Sequence, residues 1–386
     1  MSKVKFLPLL FVVLLCFAAP VLSADQISYT SQPDQVAVFL NDIAFVRDDI
    51  TLPGGADVQV VLPSTAFVDT LILRENGERV ADYRINRSAG PAVLEWQSGV
   101  DSDVREVSLE YLLSGIGWIP KYDMWLADDA GTGEADSDGI DETVEFDFFA
   151  QITNTALTLD AIDVRLIAGR VDISQQIDAI AAASTNQIIA GYAAPGQPSA
   201  ATVGAATIQH VYEVGNISAE PGDTVYVSLT ENTLLARRLL VWNSRVDNQV
   251  TIIYKVLNET MLPFTEGVVR TYQSNLFVGS DFVELTPIGG EGSITVGMLQ
   301  DVRVSRSETQ LSRDAVFTQD TQYIVELTLT SFANRPYSLD VVDTYPADSN
   351  NFEFGITPER ELGNLLRWSI ELQPGETLNI RYSYLA

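Results

Sequence analysis

The residues best spaced for chemistry are carboxylates in the segment Glu134-Ala135-Asp136-Ser137-Asp138-Gly139, with Glu145 eleven residues after Glu134. Oxygen ligands on alternate residues, followed by a glycine-permitted turn, form the pattern that wraps Ca²⁺. Glu134, Asp136, Asp138 and Glu145 are therefore a candidate calcium loop. The alternative is a solvated acidic hairpin, because the first position is Glu instead of Asp and the flanking segments are predicted strands instead of helices.

Three aromatic side chains lie close together just before this loop. Trp118 and Tyr122 have the same parity on a predicted strand, so they share one face, whereas Trp125 takes the other face. Trp118, Tyr122 and Trp125 are a candidate platform for a sugar ligand. The interpretation that we favour is that these rings fill a sandwich core, with Pro120 marking a bulge or an edge.

Several catalytic chemistries are excluded by composition. The chain has one histidine, His210, which rules out a multi-histidine zinc site and leaves only His210 for a Ser-His-Asp triad. The one cysteine, Cys16, lies in the leader, so the mature chain has no thiol nucleophile and no disulfide. We predict no catalytic residues and no cofactor other than calcium. A carboxylate-based glycoside hydrolase, which needs no histidine, is the alternative.

The N-terminus has the order of a secretory signal. Lys3 and Lys5 precede an apolar run over 6–22 and the small residues Ser23 and Ala24. The run is short for a bilayer core. We predict a signal peptide over 1–24, with an uncleaved anchor as the alternative, and a secreted or extracytoplasmic location in the cell envelope. No apolar tail closes the sequence, so we expect no C-terminal anchor.

The charge balance restricts the partners. With 52 acidic and 23 basic residues, the formal net charge is −29. Such a surface repels nucleic acid and anionic lipid. We therefore expect no nucleic-acid partner and no membrane insertion beyond the signal segment. An envelope protein or a surface polysaccharide fits better.

The elements that must position these residues are strands. Short alternating or β-branched apolar segments recur, for example at 36–40, 58–62, 104–113, 250–257 and 378–384. Glycine- and proline-containing turns separate them, at 53–55, 90–91, 221–223, 289–290 and 374–375. This pattern predicts an all-β protein built from multiple antiparallel β-sandwich domains.

Composition divides the predicted strands into domains. We predict an N-terminal β module over 25–100, a central β domain over 101–301 and an immunoglobulin-like β-sandwich over 302–386. Within the central domain, residues 172–204 are rich in Ser, Ala, Gln, Gly and Pro, which predicts a flexible linker.

Two segments carry a family resemblance. The sequence GIGWIPKYD at 115–123 resembles the hallmark of the mucoidy-inhibitor-A-like proteins, a family of uncharacterised domains, and NETMLP with EGVVR within 258–270 resembles their second hallmark. The stretch 36–73 is similar to their opening β module. The resemblance implies an envelope location and β-sandwiches but no established reaction. Family members often carry a long coiled coil before the first hallmark, and this chain has only a short bridge there.

These observations favour an exported β-rich scaffold or interaction protein of the cell envelope. Its β modules would present surfaces to a partner protein or to a cell-surface polymer. The alternative is a carbohydrate-binding or carbohydrate-active envelope protein.

Overall fold

The computed structural model describes residues 26–88, 90–100, 104–127, 140–170, 210–311 and 321–386. Within these ranges every regular element is a β-strand, so the all-β prediction is confirmed. The predicted signal peptide and linker, together with Glu134, Asp136 and Asp138, lie outside the described residues. The described ranges hold no helix of the length and hydropathy needed to span a bilayer.

The strands follow one another along the chain with turns between them. The first nine are β1 (Gln26–Thr30), β2 (Gln35–Phe39), β3 (Ile43–Pro53), β4 (Asp57–Val61), β5 (Ala66–Glu75), β6 (Glu78–Arg79), β7 (Arg84–Asn86), β8 (Val93–Gln97) and β9 (Val104–Ser114). The next nine are β10 (Ile116–Leu126), β11 (Ile140–Asn154), β12 (Leu159–Ala168), β13 (His210–Ala219), β14 (Thr224–Asn243), β15 (Val250–Leu257), β16 (Gly267–Gln273), β17 (Leu276–Val283) and β18 (Glu291–Leu299). The last seven are β19 (Val302–Leu311), β20 (Gln322–Ser331), β21 (Tyr337–Thr344), β22 (Asn350–Phe354), β23 (Glu359–Glu361), β24 (Leu365–Leu372) and β25 (Thr377–Leu385).

Contacts group the chain into two compact units. Of the described residues, unit 1 takes 26–34 and 47–112, and unit 2 takes 35–46 and 113–386. Residues 302–386 are not separated from the rest of unit 2, because β21 pairs in parallel with the end of β14. The predicted immunoglobulin-like identity of this C-terminal region stays a prediction.

Unit 1 contains a four-stranded sheet in the order β1-β4-β8-β7, in which β1 and β4 are parallel. Burial alternates along its strands as expected for a sheet with one face in a core: Val58 and Val60 of β4 are buried and Asp57 is exposed. A second layer consists of β5, β6 and the portions of β3 and β9 that belong to this unit.

Unit 2 is built on a ten-stranded sheet that runs β17-β16-β10-β11-β14-β21-β24-β23, with β15 joining β14 to β18. The sheet curls until β17 lies beside β18, where the Thr295 amide donates to the Asp281 carboxylate at 2.5 Å. On the inward face of β10 and β11, aromatic rings form a cluster with centroids 4.5 to 5.8 Å apart. Its members are Tyr122, Phe146, Phe148 and Phe264.

A second core of unit 2 lies between this sheet and a four-stranded sheet in the order β19-β20-β25-β22. Trp242 and Trp368 enter it from the larger sheet, and Leu327 and Tyr382 enter it from the smaller one. Two sheets that share one buried cluster make a sandwich-like arrangement.

Candidate functional site

Two of the three predicted platform residues lie in the core of unit 2. Trp118 is 2% exposed, and its indole nitrogen donates to the Ile167 carbonyl at 3.1 Å. Tyr122 is fully buried, and its hydroxyl donates to the Thr265 carbonyl at 2.8 Å. Burial raises the pKa of the Tyr122 phenol, so this group stays neutral. Because both side chains point inward from β10, the prediction of a surface platform does not hold for Trp118 and Tyr122.

Trp125 lies on the opposite, outer face of β10 and belongs to a row of rings. It stacks on Tyr272 with centroids 5.6 Å apart, and Tyr272 meets Phe277 edge to face at 5.8 Å. The register places each ring opposite the next, since β10 pairs with β16 and β16 pairs with β17. Neighbouring strands are about 4.8 Å apart, so the three rings form a continuous strip across three strands.

Polar groups form a second row beside the aromatic strip, two residues away along each strand. The Arg270 guanidinium donates to both oxygens of Asp123 at 2.7 Å and lies 5.7 Å from the centroid of the Phe149 ring. Such bidentate pairs are strong and hold both groups in one plane. On the other side of Asp123 the row continues through Asp147 to Glu231 by strand register.

The row is acidic. Partial burial and the charges of Glu231, Asp123 and Glu145 raise the pKa of Asp147. Glu145 lies opposite Trp125 in the β10–β11 register. The ion pairs between described side chains do not include Glu145, Asp147 or Glu231. Lys121 projects from the same face of β10, two residues from Asp123, so the described part of this row has more acidic than basic side chains.

We call this surface the aromatic–acidic face. It consists of Trp125, Tyr272, Phe277, Asp123, Arg270, Phe149, Tyr226, Glu145, Asp147 and Glu231. Its margins are accessible: Phe277 is 58% exposed, and Tyr226, whose ring lies 6.2 Å from Phe149, is 63% exposed. Further exposed apolar side chains, Val268 and its register partner Phe282, extend the face along β16 and β17.

The candidate calcium loop is only partly described. Glu145 is on the aromatic–acidic face, and the other three proposed ligands lie outside the described residues, so the loop stays a prediction. Elsewhere in the described ranges, no group of three His, Cys, Asp or Glu side chains is placed to hold a metal ion.

His210 has surroundings that do not resemble a triad. Its ring meets Tyr212 edge to face at 4.5 Å, and burial lowers its pKa. Its Nε2 atom is buried and makes no hydrogen bond to any described residue. Among the described residues, no hydroxyl nucleophile or carboxylate is hydrogen-bonded to the His210 ring, as the base of a triad requires.

Unit 1 contains a shallow groove of about 530 Å³. Charged side chains of both signs line it, namely Arg47, Asp49, Arg74, Glu106 and Glu110. Arg47 is paired with Asp49 at 2.9 Å. The lining residues include no aromatic ring, so this groove lacks the apolar platform found in unit 2.

Sequence reasoning missed most of the face. Trp125 and Glu145 were singled out for separate reasons, and the structure brings them together. Tyr272 and Phe277 had no signal of their own, because their relation to Trp125 depends on the parallel pairing of β10 with β16, which joins residues far apart in the chain. Arg270 was visible only as part of a resembling segment.

No family model, curated protein or solved structure matches this chain. The likeness to the mucoidy-inhibitor-A-like proteins stays a prediction that rests on 36–73, 115–123 and 258–270. In the structure the last two segments are adjacent, since β10 and β16 pair with Lys121 opposite Val268. A Cβ on Gly267 would lie 2.8 Å from the Pro120 carbonyl oxygen. The close approach of β16 to β10 at this point therefore leaves no room for a side chain at position 267.

Proposed function

We propose that this protein is an exported, non-catalytic interaction protein of the cell envelope that binds surface polysaccharide through the aromatic–acidic face. The observation that carries the proposal is the strip of Phe277, Tyr272 and Trp125 beside the fixed Asp123–Arg270 pair. Aromatic rings offer apolar contact with a partner, and a planar ion pair offers donors and acceptors in fixed directions. A chain of sugar rings presents both apolar C–H faces and hydroxyl edges, so it matches both rows.

Binding explains this carboxylate arrangement better than hydrolysis does. Glycoside cleavage needs one carboxyl group as acid and a second as base or nucleophile on either side of the scissile bond. Arg270 holds both oxygens of Asp123, and the remaining carboxylates lie on an outward sheet face. This arrangement supports a binding role.

A glycan array tests the proposal. The mature wild-type protein should bind a subset of polysaccharides, and Phe277→Ala should weaken that binding about tenfold, since an aromatic contact of this kind contributes roughly 1 kcal/mol or more. Phe332→Ala is the matched control, because Phe332 is 62% exposed and contacts Arg303 away from the face. Equal loss in both variants, or no binding by the wild type, would refute the proposal.

A partner protein is the second candidate for the same face. Its Trp, Tyr and Arg side chains are the types that dominate protein interfaces, and exposed Val268 and Phe282 enlarge the apolar area. Retention of an envelope protein by the wild type but not by Phe277→Ala, without glycan binding, would favour this candidate.

A further inference from the structure

We infer that the aromatic–acidic face is selective for polysaccharides that carry free amino groups, and that the indole of Trp125 together with Glu145 and Asp147 receives the ammonium group. This inference rests on the proposed function and goes beyond it, because it names the chemical class of the ligand. It follows from the orientation of one ring and from the sign of the charge around it.

Tyr272 covers one side of the Trp125 ring. Tyr272 of β16 stacks against it with an angle of 19° between the two planes. The other side of the indole therefore faces β11, the neighbour of β10 on the opposite side, where Glu145 is the register partner of Trp125. Directly opposite residues on antiparallel strands have Cβ atoms about 5 Å apart, so the Glu145 side chain starts within reach of this side of the ring.

An indole face bordered by carboxylates attracts cations. A cation within about 6 Å of a tryptophan ring is stabilised by the ring quadrupole, and ammonium groups are bound in this way. Glu145, Asp147 and Glu231 add negative charge at the same place, and Ser228 donates to Glu231 at 3.2 Å. The one ion pair on this part of the described face, Arg270 with Asp123, neutralises only its own carboxylate.

Charge complementarity with the acidic row distinguishes three classes of polysaccharide ligand: acidic, neutral and amino-bearing. A polyuronate would bring carboxylates next to Glu145 and Asp147 and would be repelled. A neutral glycan would contact the rings and leave the carboxylates to solvent. A polymer with free amino groups would satisfy both rows, since its sugar rings reach the aromatic strip and its ammonium groups reach the acidic row. The net charge of −29 acts in the same direction at longer range.

The test compares oligosaccharides of one backbone that differ only in charge. Calorimetric titration of the full mature chain would use a β-linked glucosamine hexamer, its fully N-acetylated form and a uronate hexamer of similar length, at one ionic strength. We expect the glucosamine hexamer to bind about tenfold more tightly than the acetylated form, and the uronate not to bind.

Two substitutions locate the selectivity. Glu145→Gln and Asp147→Asn keep the shape of each side chain and remove its charge. Each should lower the affinity for the glucosamine hexamer more than the affinity for the acetylated form, so the preference for the glucosamine hexamer should fall several-fold. Glu353→Gln, at an exposed position on β22, is the control for lost net charge and should leave the preference intact.

The outcomes separate this inference from the proposed function. Equal affinity for the two hexamers, with loss of both in Phe277→Ala, would overturn the amino-sugar inference and leave polysaccharide binding in place. Absence of binding to every oligosaccharide would overturn both. Binding of a lysine-rich peptide in place of any glycan, lost in Glu145→Gln, would also overturn the inference and identify the occupant as a basic protein segment.

Discussion

A single buried carboxylate, Asp343, joins three elements of unit 2. Its side chain is fully buried and accepts from Arg306 at 3.1 Å and from the Tyr382 hydroxyl at 2.8 Å. It also forms an ion pair with Arg245 at 3.2 Å. The two guanidinium groups also lie within ion-pair distance of Glu308. Two arginines therefore face two carboxylates, and removal of Asp343 leaves both guanidinium groups with Glu308 as their shared acidic partner.

Loss of this carboxylate should be strongly destabilising. We expect Asp343→Ala to lower the free energy of unfolding by about 3 kcal/mol or more, because Arg306, the Tyr382 hydroxyl and the Thr344 amide all lose a fully buried acceptor. Asp340→Ala is the control: Asp340 also pairs with an arginine, Arg367 at 2.8 Å, but both side chains are partly exposed, so a loss of about 1 kcal/mol or less is expected. Urea unfolding measures both changes, and losses of similar size would contradict the role assigned to Asp343.

Asp48 of unit 1 is buried, and no ion pair between described residues includes it. It accepts from the Ser31 hydroxyl at 2.8 Å, the Gln32 amide at 2.9 Å and the Tyr29 hydroxyl at 3.2 Å. Burial outweighs these three donors and raises the pKa of Asp48 from its ordinary 3.8 to about 6. The folded state therefore binds a proton more readily than the unfolded state does.

The raised pKa of Asp48 predicts a specific pH dependence. Its contribution to stability is fully present below about pH 4 and is lost as the pH rises through 6, by about 3 kcal/mol at 1.4 kcal/mol per pKa unit. Asp48→Asn cannot titrate, so the difference in unfolding free energy between wild type and variant should change across pH 4 to 7. Parallel pH profiles for the two proteins would contradict this account.

At the scale of elements, strands and turns were predictable because their signals are local. Each of the five predicted turns contains a glycine with positive φ in the structure, namely Gly55, Gly90, Gly222, Gly289 and Gly375. Apolar alternation located strands such as β4, β15 and β25 for the same reason. Pairing partners were not predictable, because a strand's own pattern does not state which distant strand lies beside it, and the aromatic strip depends on that pairing.

The contact between β10 and β16 depends on one glycine. A Cβ on Gly267 would lie 2.8 Å from the Pro120 carbonyl and 3.0 Å from a ring carbon of Tyr122. Gly267→Ala should therefore destabilise the protein by about 1 to 3 kcal/mol through overpacking. Gly297 on β18 has no atom within 4 Å of its Cβ position, so Gly297→Ala is the control and should be near neutral. Thermal unfolding compares them, and indistinguishable midpoints would contradict the packing argument.

For the whole molecule, the dominant electrostatic quantity is the net charge of −29. Repulsion among exposed carboxylates disfavours the compact state, and salt screens it as the Debye length falls from about 10 Å at 0.1 M to about 3 Å at 1 M. We expect the unfolding midpoint at pH 7 to rise by about 5 °C over this range. Near the sequence pI of 4.2 the rise should largely disappear. Equal salt effects at both pH values would contradict screening as the cause.

The claim that the aromatic–acidic face is the binding surface is tested most directly by side-chain footprinting. Hydroxyl-radical oxidation of Trp125, Tyr272 and Phe277 would be measured with and without the glucosamine hexamer, with Phe332 as the internal reference. We expect oxidation of the three face residues to fall on binding while oxidation of Phe332 is unchanged. Unchanged oxidation of all three under conditions where the hexamer binds would show that the hexamer binds elsewhere.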